Sequence, residues 1–185
     1  MTEEGFFMNN DMLPVPKHLK RILKLTGDSN SEFEVTGKIV CDCGSEKFTL
    51  RLVGDDSDYQ KHRVIKVAQE GDNYFLIVKV KCNDCGREHL IFDNDHHGWN
   101  GFVCGGDSRD LPRPAAKDWA CDKCQKTDHA LTVIIHSRGQ EDFIKEGEDE
   151  FDPEDWAEAF AWITIKTVCG SCGETNDEWI SYETM

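Results

Sequence analysis

A mostly β chain, built as two tandem antiparallel β domains behind a short N-terminal helix, is what this sequence predicts, on three observations. Eight of the nine cysteines fall into four close pairs: Cys41/Cys43, Cys82/Cys85, Cys121/Cys124 and Cys169/Cys172. The stretches between the pairs alternate apolar and polar residues and are rich in β-branched and aromatic side chains, as half-buried antiparallel strands are. The order of features after Cys43 recurs after Cys124, which reads as a duplication.

Residues 1–30 read as an N-terminal arm. Behind Pro14 and Pro16, Leu19, Ile22 and Leu23 share one helical face, and most of the basic residues of Lys17–Lys24 share the other. A short helix opening after Pro16 and ending near Gly27 is expected. It would dock through its apolar face or serve as a partner-binding arm. Residues 31–104 form the first expected domain. Phe33, Val35, Ile39 and Val40 lead into Cys41 and Cys43, and strands are expected over 48–53, 64–67 and 74–80. The last of these delivers Cys82 and Cys85, and Leu90-Ile91-Phe92 leaves them. Residues 105–118, with Gly105-Gly106 and Pro112-Arg113-Pro114, read as a linker.

Residues 119–185 form the second expected domain. Ala130–Ile135 follows Cys124 as Thr49–Val53 follows Cys43, and Trp162–Val168 delivers Cys169 and Cys172. Phe143–Gly147 is expected to echo the strand Val64-Ile65-Lys66. An extra acidic segment, Glu148 to Trp156, precedes the last long strand. Its Pro153, with acids in the first turn and Trp156, Ala159 and Phe160 behind, predicts a short helix.

Two thiolates on each tight turn, with roughly 40 residues to the next pair, are how a chain encloses a tetrahedral ion. The expected metal ligands are Cys41, Cys43, Cys82 and Cys85 for one site, and Cys121, Cys124, Cys169 and Cys172 for the other. The residue after the second cysteine of such a turn takes positive φ, which suits Gly44, Gly86 and Gly173; Gln125 departs from this. Cys41-Asp42-Cys43 departs differently, with a single intervening residue. Two zinc ions are the expected cofactors, and iron in a rubredoxin-like site uses the same ligands. Disulfides would need an oxidising compartment, and a thioredoxin-like motif a strand-to-helix context. A closed four-cysteine site leaves no position for water, so the metal is expected to be structural.

The layout resembles the broad zinc-ribbon (zinc β-ribbon) class, in the eight paired cysteines and in Gly44, Gly86 and Gly173 beside three of the turns. Ribbons of this class serve nucleic-acid enzymes or protein partners, so the resemblance implies one of these roles.

Composition narrows the choice. The formal net charge of −15 opposes phosphate backbones and anionic membranes and favours a protein partner with a basic surface, or simply serves solubility. No apolar run approaches the length of a membrane span. The beginning of the sequence lacks a basic stretch followed by an apolar one, so a cytoplasmic protein with reduced thiols is expected. The 185 residues, 38% hydrophobic, divide into halves too small for a generous core, a deficit that metal closure makes up.

One segment has no counterpart in the second half. Asp93, Asp95, His96, His97 and Trp99 crowd a glycine-containing loop beyond Cys85. They read as a structural loop, as a possible interaction surface built on Trp99 and the histidines, or as an additional metal or hydrolytic centre. Cys104, the unpaired ninth cysteine, reads first as an inert buried thiol. His129 and His136 are expected to cap or pack, and His89 to support a ligand from behind. Common nucleotide-binding and hydrolase motifs are missing. The expected function is a non-enzymatic protein-interaction module, with the acidic insert 141–155 and the Trp99 loop as contact surfaces. A metal-dependent enzyme using the Asp93–His97 loop, or a nucleic-acid-binding ribbon, is the alternative.

Overall fold

A computed structural model describes residues 13–27, 30–105, 109–147 and 150–185. In chain order its strands are β1 (Leu23–Leu25), β2 (Glu34–Ile39), β3 (Phe48–Val53), β4 (Ala68–Glu70), β5 (Asn73–Phe75), β6 (Ile77–Cys82), β7 (Glu88–Asp93), β8 (Lys117–Asp118), β9 (Asp128–His136), β10 (Trp162–Cys169) and β11 (Thr175–Glu183). Two α-helices, α1 (Tyr59–His62) and α2 (Gln140–Gly147), a π-helical turn (Trp99–Gly105) and a 3₁₀ segment (Pro153–Glu158) complete it. No helix among the described residues is long and apolar enough to cross a membrane.

The alternation in the sequence becomes a sheet because every second side chain can be buried. In β9, His129, Leu131, Val133 and Ile135 are buried and their neighbours half-buried. In β10 the buried set is Ile163, Ile165, Thr167 and Cys169, and in β3 it includes Phe48, Leu50 and Leu52. Period two with one face covered fixes the register, since a slip of one residue would turn this set to solvent.

Nine strands join one antiparallel sheet, and β4 and β5 form a separate hairpin. Two meanders organise it: β3-β6-β7 in the first half and β9-β10-β11 in the second. They meet where β9 reaches the other half. One edge of β9 pairs with β10 along its length, and its other edge is shared by β2, from Thr132 to His136, and β3, at Asp128 and His129. A single apolar cluster accordingly draws on both halves, from Leu19 and Ile39 through Phe48 and Val80 to Ile135, Ile165 and Trp179. Between its two cysteine turns the first half runs β3, α1, β4, β5 and β6, and the second runs β9, α2, the 3₁₀ segment and β10; one strand follows the second turn in each, β7 and β11. The stretch expected as a linker contributes β8, which pairs with Arg51 and Leu52 of β3.

Three local expectations are corrected. The helix expected to open after Pro16 is a run of turns over 17–22, and from Leu23 the chain is strand. The turns keep helix-like bonds, such as Leu23 N–H to the Leu19 carbonyl at 2.8 Å. So short a helix is marginal alone, whereas β1 gains a partner in β2, with Leu23 opposite Ile39. Gly37 admits that approach, since a Cβ there would lie 2.9 Å from the Leu23 side chain and from the Lys24 carbonyl. The apolar face itself is as expected, with Leu19, Ile22 and Leu23 buried.

Phe143–Gly147 is likewise not a strand but the body of α2. Phe143 and Gly147 are buried one turn apart. Acidic Glu141 and Asp142 sit at its start and Lys145 at its end, which suits the helix dipole. Val64–Val67, its expected counterpart, forms no strand either; Lys66 alone bridges to Asp55, behind α1. The helix expected at Pro153 is present as the 3₁₀ segment, capped by Asp152, whose carboxylate accepts the Glu154 N–H at 2.9 Å.

The burial of the arm has a measurable consequence. Leu19, fully buried in the main cluster, should on Leu19→Ala cost about 2–5 kcal/mol of unfolding free energy. A urea titration showing under about 0.5 kcal/mol would mean that the arm does not belong to the core.

Candidate metal centres

Each quartet is assembled from two turns. Cys41 and Cys43 lie between β2 and β3, and Cys82 and Cys85 close the β6–β7 hairpin. Cys121 and Cys124 lie between β8 and β9, and Cys169 and Cys172 close the β10–β11 hairpin. The sulfur atoms of Cys41, Cys43, Cys82 and Cys85 all lie within 4.8 Å of one another, as do those of Cys121, Cys124, Cys169 and Cys172. The contacts across turns are Cys41–Cys85 at 3.5 Å, Cys43–Cys82 at 3.6 Å, Cys121–Cys172 at 3.7 Å and Cys124–Cys169 at 3.5 Å. All eight are free thiols. Each group could hold a metal ion.

The turns share one backbone scheme. In the three Cys-x-x-Cys turns the first cysteine donates its N–H to the carbonyl five residues on, and the residue after the second cysteine donates back to the first. That residue is in the left-handed region: Gly86 at φ 74°, Gly173 at 72° and, despite its side chain, Gln125 at 60°. The turn therefore dictates the conformation and the sequence departs from its ideal residue. The short turn Cys41-Asp42-Cys43 keeps the scheme with one residue removed. Cys41 N–H reaches the Ser45 carbonyl, Gly44 N–H reaches the Cys41 carbonyl, and Gly44 has φ 88°.

The same scheme aims N–H groups at sulfur. Burial pushes the thiols of Cys82 and Cys169 up, but hydrogen bonds from their own turns outweigh it. N–H groups of Cys85 and Asp84 bring Cys82 down to about 6, and those of Cys172 and Ser171 bring Cys169 down to about 7. The opposite members go the other way. Burial pushes Cys41 up to about 12; at Cys172, burial and the neighbouring thiols overcome the Glu174 N–H and also give about 12. Thiols this close resist shedding all their protons unless a cation takes their place, which is the chemistry of a metal-binding donor set.

Charged clasps join the two turns of each quartet. Asp42, inside the first turn, pairs with Arg87 beyond the second and with Arg21 of the arm. In the other quartet Glu174 pairs with Lys123 at 3.3 Å and with Arg63 at 3.0 Å, and Arg63 also reaches Asp122 at 3.9 Å. These surface pairs are worth little individually, but they set cations beside concentrated thiolate charge. His89 supports the first quartet from behind, its Nε2 3.3 Å from the Cys41 sulfur.

No protein-family model, curated protein or solved structure matches this chain. The reading of the site therefore rests on its geometry.

The Asp93–His97 loop is folded inward. Asp93, Asp95 and His97 are buried, Trp99 is half-buried, and His96 faces solvent. Both carboxylates face Arg113, which forms an ion pair with Asp95 and lies 3.5 Å from Asp93. Asp93 also accepts the Asp95 N–H, and Asn94 holds the loop to β5 through Tyr74 O. His97 Nδ1 accepts the Asp93 N–H at 3.0 Å, and its ring stacks on His18 of the arm at 3.9 Å. Among the described residues, the groups able to hold a metal are the two cysteine quartets.

Trp99 packs edge-on against Phe143, under the Arg138 guanidinium. It shares a small apolar cluster with Trp156, Ala159, Phe102 and Phe151, so the loop and the acidic insert adjoin. Cys104, in the π-helical turn, is exposed rather than buried. His129 packs in the core, with Nδ1 3.0 Å from the Thr127 carbonyl. The sequence reading missed Arg113 and His18. The only signal for Arg113 was a charged residue held between two prolines, some way after a loop with two acids.

Two tests follow from these conformations. Relieving the left-handed strain with Gln125→Gly should raise stability by about 1 kcal/mol, read as a higher Tm of the metal-loaded protein; a lower Tm would contradict the strain. The second is a pH effect. Burial first, then the charges of His18 and His96, lower the His97 pKa to about 2, against about 6.5 in an unfolded chain. Above about pH 6.5 both states are neutral and the stability is fully present. Below it the unfolded chain takes a proton that the fold refuses, so stability is lost as pH falls toward 2, by up to about 1.4 kcal/mol per pH unit. His97→Asn, which can still accept the Asp93 N–H, should shrink the shift in urea midpoint between about pH 7 and about pH 5.5. An unchanged shift would show that His97 titrates normally.

Proposed function

We propose that the protein binds two zinc ions, one in each cysteine quartet. On this reading it is a cytoplasmic, non-enzymatic protein-interaction module of two ribbon-like units, residues 31–104 and 119–185. The observation that carries the metal reading is the convergence of four sulfur atoms in each group, within 4.8 Å of one another. A tetrahedron of zinc–sulfur bonds of about 2.3 Å has edges of about 3.8 Å. The cross-turn contacts of 3.5 to 3.7 Å match that spacing. Thiolates complete the coordination, so the ion would be structural. At about 10–16 kcal/mol for a structural zinc, each ion would contribute on the scale of a whole domain's net stability, about 5–15 kcal/mol.

The interaction reading is supported by the charge of −15 and by where side chains are exposed. Ile144 of α2 is 46% exposed among the acids of the insert, and His96 lies exposed on the adjoining loop. A partner with a basic face and a small apolar anchor suits this surface. Support for the non-enzymatic reading comes from the Asp93–His97 loop. Its carboxylates are engaged by Arg113 and backbone N–H groups, and His97 by Asp93 and His18.

The experiment is metal analysis joined to a capture assay. Native mass spectrometry should find two zinc ions per chain, and a strong chelator should abolish the cooperative unfolding transition. Immobilised protein should capture a basic partner that is lost with an Ile144→Asp variant and with added salt. Iron in place of zinc would overturn the identity of the ion. A chelated protein that keeps its transition would overturn the structural role, and capture indifferent to Ile144→Asp would overturn the surface.

A further inference from the structure

The two quartets are not independent in the sheet. Cys82 of β6 lies opposite Phe48 of β3, Phe48 lies opposite His129 of β9, and His129 lies opposite Cys169 of β10. One rung across four strands therefore begins at a ligand of the first quartet and ends at a ligand of the second. All four side chains are buried. Three strand spacings of roughly 4.8 Å place the two ligand positions about 14 Å apart.

A second connection runs along the ends of the strands. Thr49 Oγ1 donates to Asn83 Oδ1 at 2.9 Å, and Asn83 Nδ2 donates to Asp128 Oδ1 at 3.1 Å. The Asp128 carbonyl accepts the Gly170 N–H at 2.8 Å. Asn83 sits inside the turn Cys82–Cys85, and Gly170 inside the turn Cys169–Cys172. A Cβ on Gly170 would collide with the Asp128 carboxylate, so glycine is what lets that turn approach.

We propose that the two cysteine quartets load metal as one cooperative unit, coupled through the Cys82–Phe48–His129–Cys169 rung, with Asn83 and Asp128 as positioning residues. This rests on the reading of both quartets as metal sites. An ion in the first quartet orders the Cys82–Cys85 turn, and with it the end of β6. That end orders β3, whose start is the partner of β9, which carries the order to Cys169 and Gly170. The second ion then enters a quartet whose ordering is already done, and binds more tightly. Electrostatics oppose this weakly. Each tetrathiolate site carries about −2, but a separation of about 14 Å exceeds a Debye length of about 8 Å, so repulsion changes affinity by less than about twofold. By linkage the coupling is reciprocal.

The test is native mass spectrometry of the full chain with zinc supplied at one equivalent. Independent equal sites give about half of the molecules one ion and about a quarter each none and two. Cooperative loading predicts a one-ion population well below that, with the none and two populations raised. Asn83 is exposed and is not a ligand, so Asn83→Ala should still take two ions while its one-ion population rises toward the independent value. Separately, Cys169→Ser should weaken the first quartet for cobalt by about tenfold, read from thiolate-to-metal absorption. A wild-type distribution matching independence, or a first quartet weakened less than about twofold by Cys169→Ser, overturns the coupling. An Asn83→Ala protein as cooperative as wild type overturns the positioning role. Uptake of no metal overturns the site reading itself, and the coupling with it.

Discussion

The convergence of each set of four sulfurs is the constraint on which the rest depends. A turn that brings two cysteines together must point their sulfurs to one side, and two such turns must face each other. In both halves this pins the entrance of the first meander strand to the tip of the hairpin formed by the next two. Strand register follows, because Cys82 cannot face Cys43 unless Phe48 lies opposite Cys82. Burial of alternate side chains then agrees with a register the thiols already require. The two influences support each other, which is what gives a sequence a single low-energy arrangement.

The second organising fact is the double use of β9. Its first residues pair with β3 and the remainder with β2, while its other edge holds β10. The cysteine-bearing halves thereby share a sheet and an apolar cluster. The arm completes that cluster with Leu13, Val15, Leu19 and Ile22. It also reaches outward to two other segments, through Lys17 to Asp155 and Glu158, and through Arg21 to Asp42. A chain of strong net negative charge thus places several of its cations where acids or thiolates are concentrated.

The loop beyond the first quartet shows how little residue type alone says about chemistry. Two aspartates and two histidines in five residues suggest a reactive or metal-binding centre, but three of these side chains acquire structural partners and the fourth, His96, faces solvent. Asp95 meets Arg113, His97 meets His18 and the Asp93 N–H, and Gly98 gives way to Thr184 from the far end of the chain. Trp99 turns against the acidic insert, so two segments 40 or more residues apart in sequence present one surface.

By itself, the sequence determined the eight cysteines that converge, the strands that alternate, and which face of the arm is buried. These are local matters: spacing within a turn, period two along a strand, and the shared side of Leu19, Ile22 and Leu23. Tertiary structure decided the backbone of that arm, because β2 offered β1 a hydrogen-bonding edge that outweighed a short helix. It also decided the helical state of Phe143–Gly147, whose burial of Phe143 depends on Trp99 and Phe151. And it decided that the two quartets lie on one rung, since pairing between residues 48 and 129 is a long-range contact with no trace in local pattern.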